Sequence, residues 1–178
     1  MLKKNIEKTI NQQINAELWS SYLYLSMSTY FESISLSGFA NWMRIQAEEE
    51  LTHAMRFYFY VVERGGRVTL TAIDKVPTEW KSPLHAFEET YKHEQKVTSL
   101  INDIANLAIK EKDHATVNML HWFIDEQVEE ESSADALVQK LKLIGTDKSG
   151  LFMLDKELEQ RQFTLPADIN LGIVPPQG

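Results

Sequence analysis

Apolar residues recur every three or four positions along four long stretches of the chain, the spacing of a helix with one buried face. In the first stretch, residues 5–32, Ile6, Ile10, Ile14, Leu18, Ser21 and Leu25 follow a single stripe. Ser35, Ser37 and Gly38 punctuate it. The second stretch, 38–64, stops at Gly65-Gly66, a C-terminal helix signal. The third opens on Ser82-Pro83, an N-cap followed by proline at the first helical position, and continues to about 109. The fourth spans 114–144 and ends at Gly145; a short fifth, 147–160, follows a turn at Thr146, Asp147, Lys148 and Ser149.

The connection between the second and third helices is long. Residues 67–81 are rich in β-branched residues and contain Pro77. Loops of this length are uncommon in compact domains and usually have a reason. A helix of about 27 residues measures roughly 40 Å at 1.5 Å per residue, and about 15 extended residues reach roughly 50 Å. The connection can therefore travel the length of a bundle and leave helices two and three parallel, whereas the short connections force antiparallel neighbours. The expected architecture is all-α: a four-helix bundle with a long crossover between helices two and three, plus a short fifth helix. Residues 1–162 form this bundle. Residues 163–178, with three prolines and no helical period, form an extended tail packed on its surface.

Composition narrows the function classes. At 178 residues, 43% hydrophobic and 25% charged, the chain suits one soluble domain and not a disordered segment. A net charge of −8 supplies no basic face for nucleic acid and can instead concentrate cations. The absence of cysteine excludes disulfides, iron–sulfur clusters, zinc ribbons and thiol catalysis, and is compatible with the cytoplasm. The opening MLKKNIEKTINQQ has no apolar run behind its lysines, so no signal peptide is read there. No window approaches the roughly 20 apolar residues of a membrane span.

Each long stripe is interrupted near its middle by an ionisable or amide residue. Glu17 interrupts the first, Glu50 and His53 the second, Glu94 the third, and Gln127 and Glu130 the fourth. A mid-helix position stays at mid-bundle whichever way the helix runs, so all four sets fall in one layer. Helices one and three contribute one Glu each, and two and four contribute pairs at i and i+3, the general pattern of di-metal carboxylate bundles. Any one of these residues alone reads as a hydrogen-bonded core polar group. Four glutamates together are different, because burying each unpaired ion costs several kcal/mol and no arginine or lysine interrupts the same stripes. A bound cation offsets that cost. Carboxylates with one imidazole suit iron or manganese, with zinc as a competitor.

Specific blocks of sequence resemble the ferritins, and more narrowly the non-haem bacterial ferritins. They are NAELWSSYLYLSM around Glu17 and Tyr24, ANWMRIQAEEELTHAMRFYFY with Glu49, Glu50 and His53, YKHEQKVT with Glu94, and HWFIDEQVEEE with Glu126, Gln127, Glu129 and Glu130. The resemblance runs through helices one to five and implies a ferritin-like fold with an iron-oxidation centre. It implies a first iron held by Glu17, Glu50 and His53. Glu50 would bridge to a second iron, whose other ligands would be Glu94 and Glu130, with Gln127 nearby. Glu49, Glu126 and Glu129 match a further, weaker iron position of bacterial members. The implied chemistry is oxidation of Fe(II) by O2 and deposition of Fe(III) mineral inside a hollow 24-subunit shell.

Two departures stand out. The fourth helix reads Gln127-x-x-Glu130 where bacterioferritins and reductase-like sites have Glu-x-x-His, so the second iron lacks an imidazole and is expected to be held more loosely. Leu51 stands at the position of the haem-ligating methionine of bacterioferritin, so no haem is expected.

The remaining residues carry weaker readings. Tyr24, two turns from Glu17, fits either a ligand-bonding or electron-donating phenol or a core tyrosine with a satisfied hydroxyl. Trp122 reads as packing. His85, His93, His114 and His121 fall off the stripes and read as surface residues. The apolar fifth segment (Leu151, Phe152, Met153, Leu154) fits either a shell's fourfold axis, by resemblance, or a cap on its own bundle. The main alternative function is a shell subunit that stores mineral without fast oxidation. A rubrerythrin-like peroxidase needs cysteines, DNA-protecting mini-ferritins lack the fifth helix, and a helical cytokine has no reason to bury these carboxylates.

Overall fold

The computed structural model describes residues 1–166, and the rest of the expected tail, 167–178, lies outside the described residues. The described chain folds into α1 (Lys4–Ser33), α2 (Ser37–Glu63), α3 (Pro83–Lys110), α4 (His114–Ile144) and α5 (Lys148–Leu158). The starts of α3, α4 and α5 and the end of α2 lie where local turn chemistry marks them. The Ser82 side chain accepts from His85 N at 3.1 Å ahead of Pro83. Asp113 accepts from Thr116 N at 3.2 Å at the start of α4, and Asp147 accepts from Ser149 N and Gly150 N at the start of α5. These side chains take up N–H groups that the first helical turn leaves unpaired. Gly65 closes α2 at φ 69°, a left-handed conformation that costs glycine little.

Two apolar clusters fill the bundle, one at each end. One joins Ile6, Ile10 and Ile14 of α1 to Phe57 and Val61 of α2, Ile101 and Ile104 of α3, and Leu120 and Phe123 of α4. The other joins Tyr30 and Phe31 to Phe39, Trp42, Phe87, Leu137 and Leu141, with Leu154 and Leu158 of α5 closing the end. The late parts of α2 and α3 thus share one end with the early parts of α1 and α4. Helices α2 and α3 are parallel, as the loop length predicts. The crossover runs along α1: Asn11 bonds Arg67 O and Thr69 N, Asn15 bonds Ala72 O, and Ser26 bonds Pro77 O. Val76 and Trp80 anchor its far end in the core.

The expected stripe of α1 needs one correction. Leu18 and Ser21 are half-buried and Leu25 is 45% exposed, whereas Glu17, Ser20, Tyr24, Met27 and Phe31 carry the buried face onward. Successive i+4 steps overshoot the 3.6-residue turn by about 40° each, so a stripe counted only in fours rotates out of the core.

Candidate metal centre

The layer between the two apolar clusters holds Glu17, Glu50, His53, Glu94, Gln127 and Glu130, all buried. Mid-helix placement on four helices, two running each way, brings them together. One donor atom each from Glu17, Glu50 and His53 lie within 4.8 Å of one another, as do donor atoms of His53, Glu126 and Glu130. His53 is common to both groups. Its Nδ1 stands 3.5 Å from Glu50 Oε2, and its ring packs edge-on against Trp122 and Phe123.

Most of these carboxylates are held by neutral donors. Gln13 Nε2 donates to Glu17 Oε1 at 3.0 Å, and Gln46 Nε2 to Glu130 Oε2 at 2.6 Å. Glu94 accepts from the Tyr24 hydroxyl on one oxygen and from Gln127 Nε2, at 3.4 Å, on the other. Glu17 Oε2 and Glu50 Oε2 remain buried with no hydrogen-bond partner among the described residues. Such orphaned acceptors are rare and call for an explanation. Burial, followed by the Glu50 charge, pushes Glu17 up to about 8. Burial, then the neighbouring Glu94, raises Glu50 and Glu130 well above the carboxylate range. Burial raises Glu94 too, against the pull of the Tyr24 bond. The Tyr24 phenol is itself driven far up by burial and by Glu94. The layer therefore favours uptake of positive charge, as protons or as metal ions.

On the α2–α4 side the layer opens into a cavity of about 230 Å³, lined by Glu49, His53, Glu126, Glu129, Glu130 and Arg161 among others. Arg161, beyond the end of α5, pairs with Glu49 at 2.5 Å. Burial raises Glu49 and Glu126, with Arg161 opposing the rise at Glu49 and His53 opposing it at Glu126.

A family model described as the Ferritin-like domain matches residues 7–144, most of the chain. The chain belongs to the ferritin family. A bacterial non-heme ferritin of Bacteroides fragilis is 45% identical over 161 residues, covering 90% of this chain and 100% of its own length. One from Staphylococcus saprophyticus is 39% identical over 163 residues, covering 92% and 98%. Among solved structures, a closed form of the Archaeoglobus fulgidus ferritin, engineered by site-directed mutagenesis, is 54% identical. It superposes with a TM-score of 0.91 over 92% of this chain and 100% of its own. An open pore ferritin from the same archaeon is also 54% identical, with a TM-score of 0.90 over 91% and 100%.

Within this ferritin fold the structure corrects one expectation and adds partners that the sequence reading missed. His93 is half-buried and bonded rather than a free surface residue. Its Nε2 lies 2.8 Å from Ser20 Oγ, its ring packs against Trp19 and Tyr24, and burial, then Lys96, lowers its pKa to about 4. A helix inside a bundle touches its neighbours over an arc wider than its apolar stripe, so α1 covers the flank of α3 as well. His85 is half-buried, while His114 and His121 are exposed. Gln13 and Gln46 were legible in principle, since each lies four residues before a site glutamate and so on the same face. Arg161 had no comparable signal. Leu51 is 40% exposed, and the α5 side chains Leu154 and Leu158 cap their own bundle while Phe152 and Met153 face outward.

Proposed function

We propose that this ferritin is an iron-storage subunit that binds Fe(II) in pairs within the bundle, oxidises it with O2, and passes Fe(III) into mineral inside a hollow 24-subunit cytoplasmic shell. The observation that carries the reading is the buried layer of four carboxylates and one imidazole with unpartnered oxygens on Glu17 and Glu50. That donor set suits Fe(II), a cation of hard to intermediate character. The first Fe(II) takes Glu17, Glu50 and His53. The second takes Glu94 and Glu130, with Glu50 shared and Gln127 beside them. Each Fe(II) surrenders one electron, so a pair reduces one O2 by two electrons, and with two protons it leaves as hydrogen peroxide. Tyr24 keeps Glu94 oriented through its hydroxyl, and the carboxyl groups release their protons as iron enters. Glu126 and Glu129 border the cavity that reaches His53 and Glu130, which suits them to hand Fe(II) inward. No haem belongs to this reading, since Leu51 offers no donor atom.

Titration of metal-free protein with Fe(II) in air tests the proposal. The Fe(III) absorbance should rise in a fast phase that saturates at a pair of ions per subunit, in particles of hundreds of kilodaltons by light scattering. A shell that forms mineral without the fast phase would replace oxidation with passive storage. A monomer or simple dimer would remove the shell.

A further inference from the structure

The outer acidic cavity already contains a cation. Arg161 Nη2 meets Glu49 Oε2 at 2.5 Å, and Nη1 donates to Gln46 Oε1 at 3.0 Å and to Trp42 O at 3.2 Å. The guanidinium carbon stands 4.5 Å from the centre of the Trp42 ring. The backbone around it is pinned as well, because Asn41 Nδ2 donates to Leu158 O at 3.1 Å and to Arg161 O at 3.0 Å. Arginine has only donors, so Gln46 must turn its carbonyl oxygen toward Arg161. Its amide nitrogen is thereby aimed at Glu130 Oε2, 2.6 Å away. We infer that Arg161 is the resident cation of this cavity: it occupies Glu49, steadies Glu130 through Gln46, and must be displaced before a third metal ion can bind among Glu49, Glu126 and Glu129. A planar fork can hold Glu49 and Gln46 at once, which a lysine ammonium does poorly. Arg161 is thus a positioning residue, and it separates the inner pair of ions from the outer acids.

The inference rests on the inner carboxylates being a di-metal site, and one experiment tests the two separately. Metal-free wild type, Arg161→Gln and Glu49→Gln are titrated anaerobically with Co(II), with bound metal counted after equilibrium dialysis and assembly checked by light scattering. Wild type should fill the inner pair well before any further ion. Arg161→Gln should bind an additional Co(II) at least roughly tenfold more tightly than wild type, since a neighbouring unit charge a few ångströms away has gone. Glu49→Gln should show no such gain. Equal outer affinity in wild type and Arg161→Gln would overturn the role given to Arg161, and so would a gain of the same size in Glu49→Gln. Failure of wild type to take up the inner pair would instead sink the di-metal reading, visible without any variant. Arg161→Lys, the mildest change, serves if the glutamine variant fails to assemble: it should show a partial gain, and wild-type behaviour would again count against the inference.

Discussion

The inner and outer halves of the acidic site balance their charge in opposite ways. Glu17, Glu50 and Glu94 are each 1% exposed, and two of their oxygens have no hydrogen-bond partner among the described residues. Glu49 and Glu129 sit on a cavity with Arg161 opposite, and Glu49 already has its counter-ion. The inner group favours uptake of positive charge from outside the chain, as protons or metal ions. The outer group brings its own. Carboxylate count is therefore a poor guide to metal affinity, and the better guide is which acids the fold leaves without a cation.

Breaking the inner half should have the largest effect. Glu50→Ala removes the carboxylate proposed for both ions and should slow the fast phase of Fe(II) oxidation by at least on the order of a hundredfold, the upper end of what losing a mere outer-shell partner costs a metal site. Glu130→Ala should cost about tenfold less. Neither should prevent folding, because each removes a like charge from a cluster. Stopped-flow absorbance and thermal melts of the metal-free variants check both, and Glu50→Ala oxidising at the wild-type rate would void the assignment.

A pH series sharpens the same contrast at intermediate scale. Glu17 in the fold titrates near 8 against an ordinary 4.5. A carboxyl with a raised folded pKa supports the fold fully below its unfolded pKa, and this support is lost as pH rises toward the folded value. The metal-free protein should therefore lose several degrees of Tm between about pH 5 and 8. Glu17→Gln should flatten that slope, and saturating Zn(II), replacing the protons, should flatten or reverse it. A slope unchanged by both would place the pH dependence outside the inner group.

The smallest effect is expected at the outer rim. Glu129→Gln should leave the initial oxidation rate within about twofold, the range of an ordinary surface substitution. A loss as large as that of Glu130→Ala would mean that the outer acids are obligatory and that the two halves are one site.

Much of this was legible because it is local. Ser82-Pro83, the turn containing Asp147, Gly65 and Gly145 mark helix ends within a few residues, so these ends could be placed without knowing what the helices pack against. The layer of Glu17, Glu50, His53, Glu94, Gln127 and Glu130 was legible because a polar residue at the middle of an apolar stripe can be counted along one helix at a time. Chain length alone oriented the crossover.

What required the tertiary structure depends on contacts between segments far apart in the chain. Gly38 reads as punctuation in sequence. In the fold, a Cβ there would stand 1.7 Å from Asp155 O, and Asp155 Oδ1 accepts from the N–H groups of Gly38 and Phe39 at 2.8 and 3.1 Å. Asp155 thus caps α2 from α5, more than a hundred residues away. His93 looked solvent-facing until α1 packed against it, and nothing near Glu49 in the sequence announced that Arg161 would reach it from beyond α5. The sequence by itself determined where the helices run and which acids at the middle of the apolar stripes they bury, since periodicity and capping act over a few residues. Only the tertiary structure decided which of those acids meet a cation of the chain's own, because that depends on where the segment after α5 returns to α2.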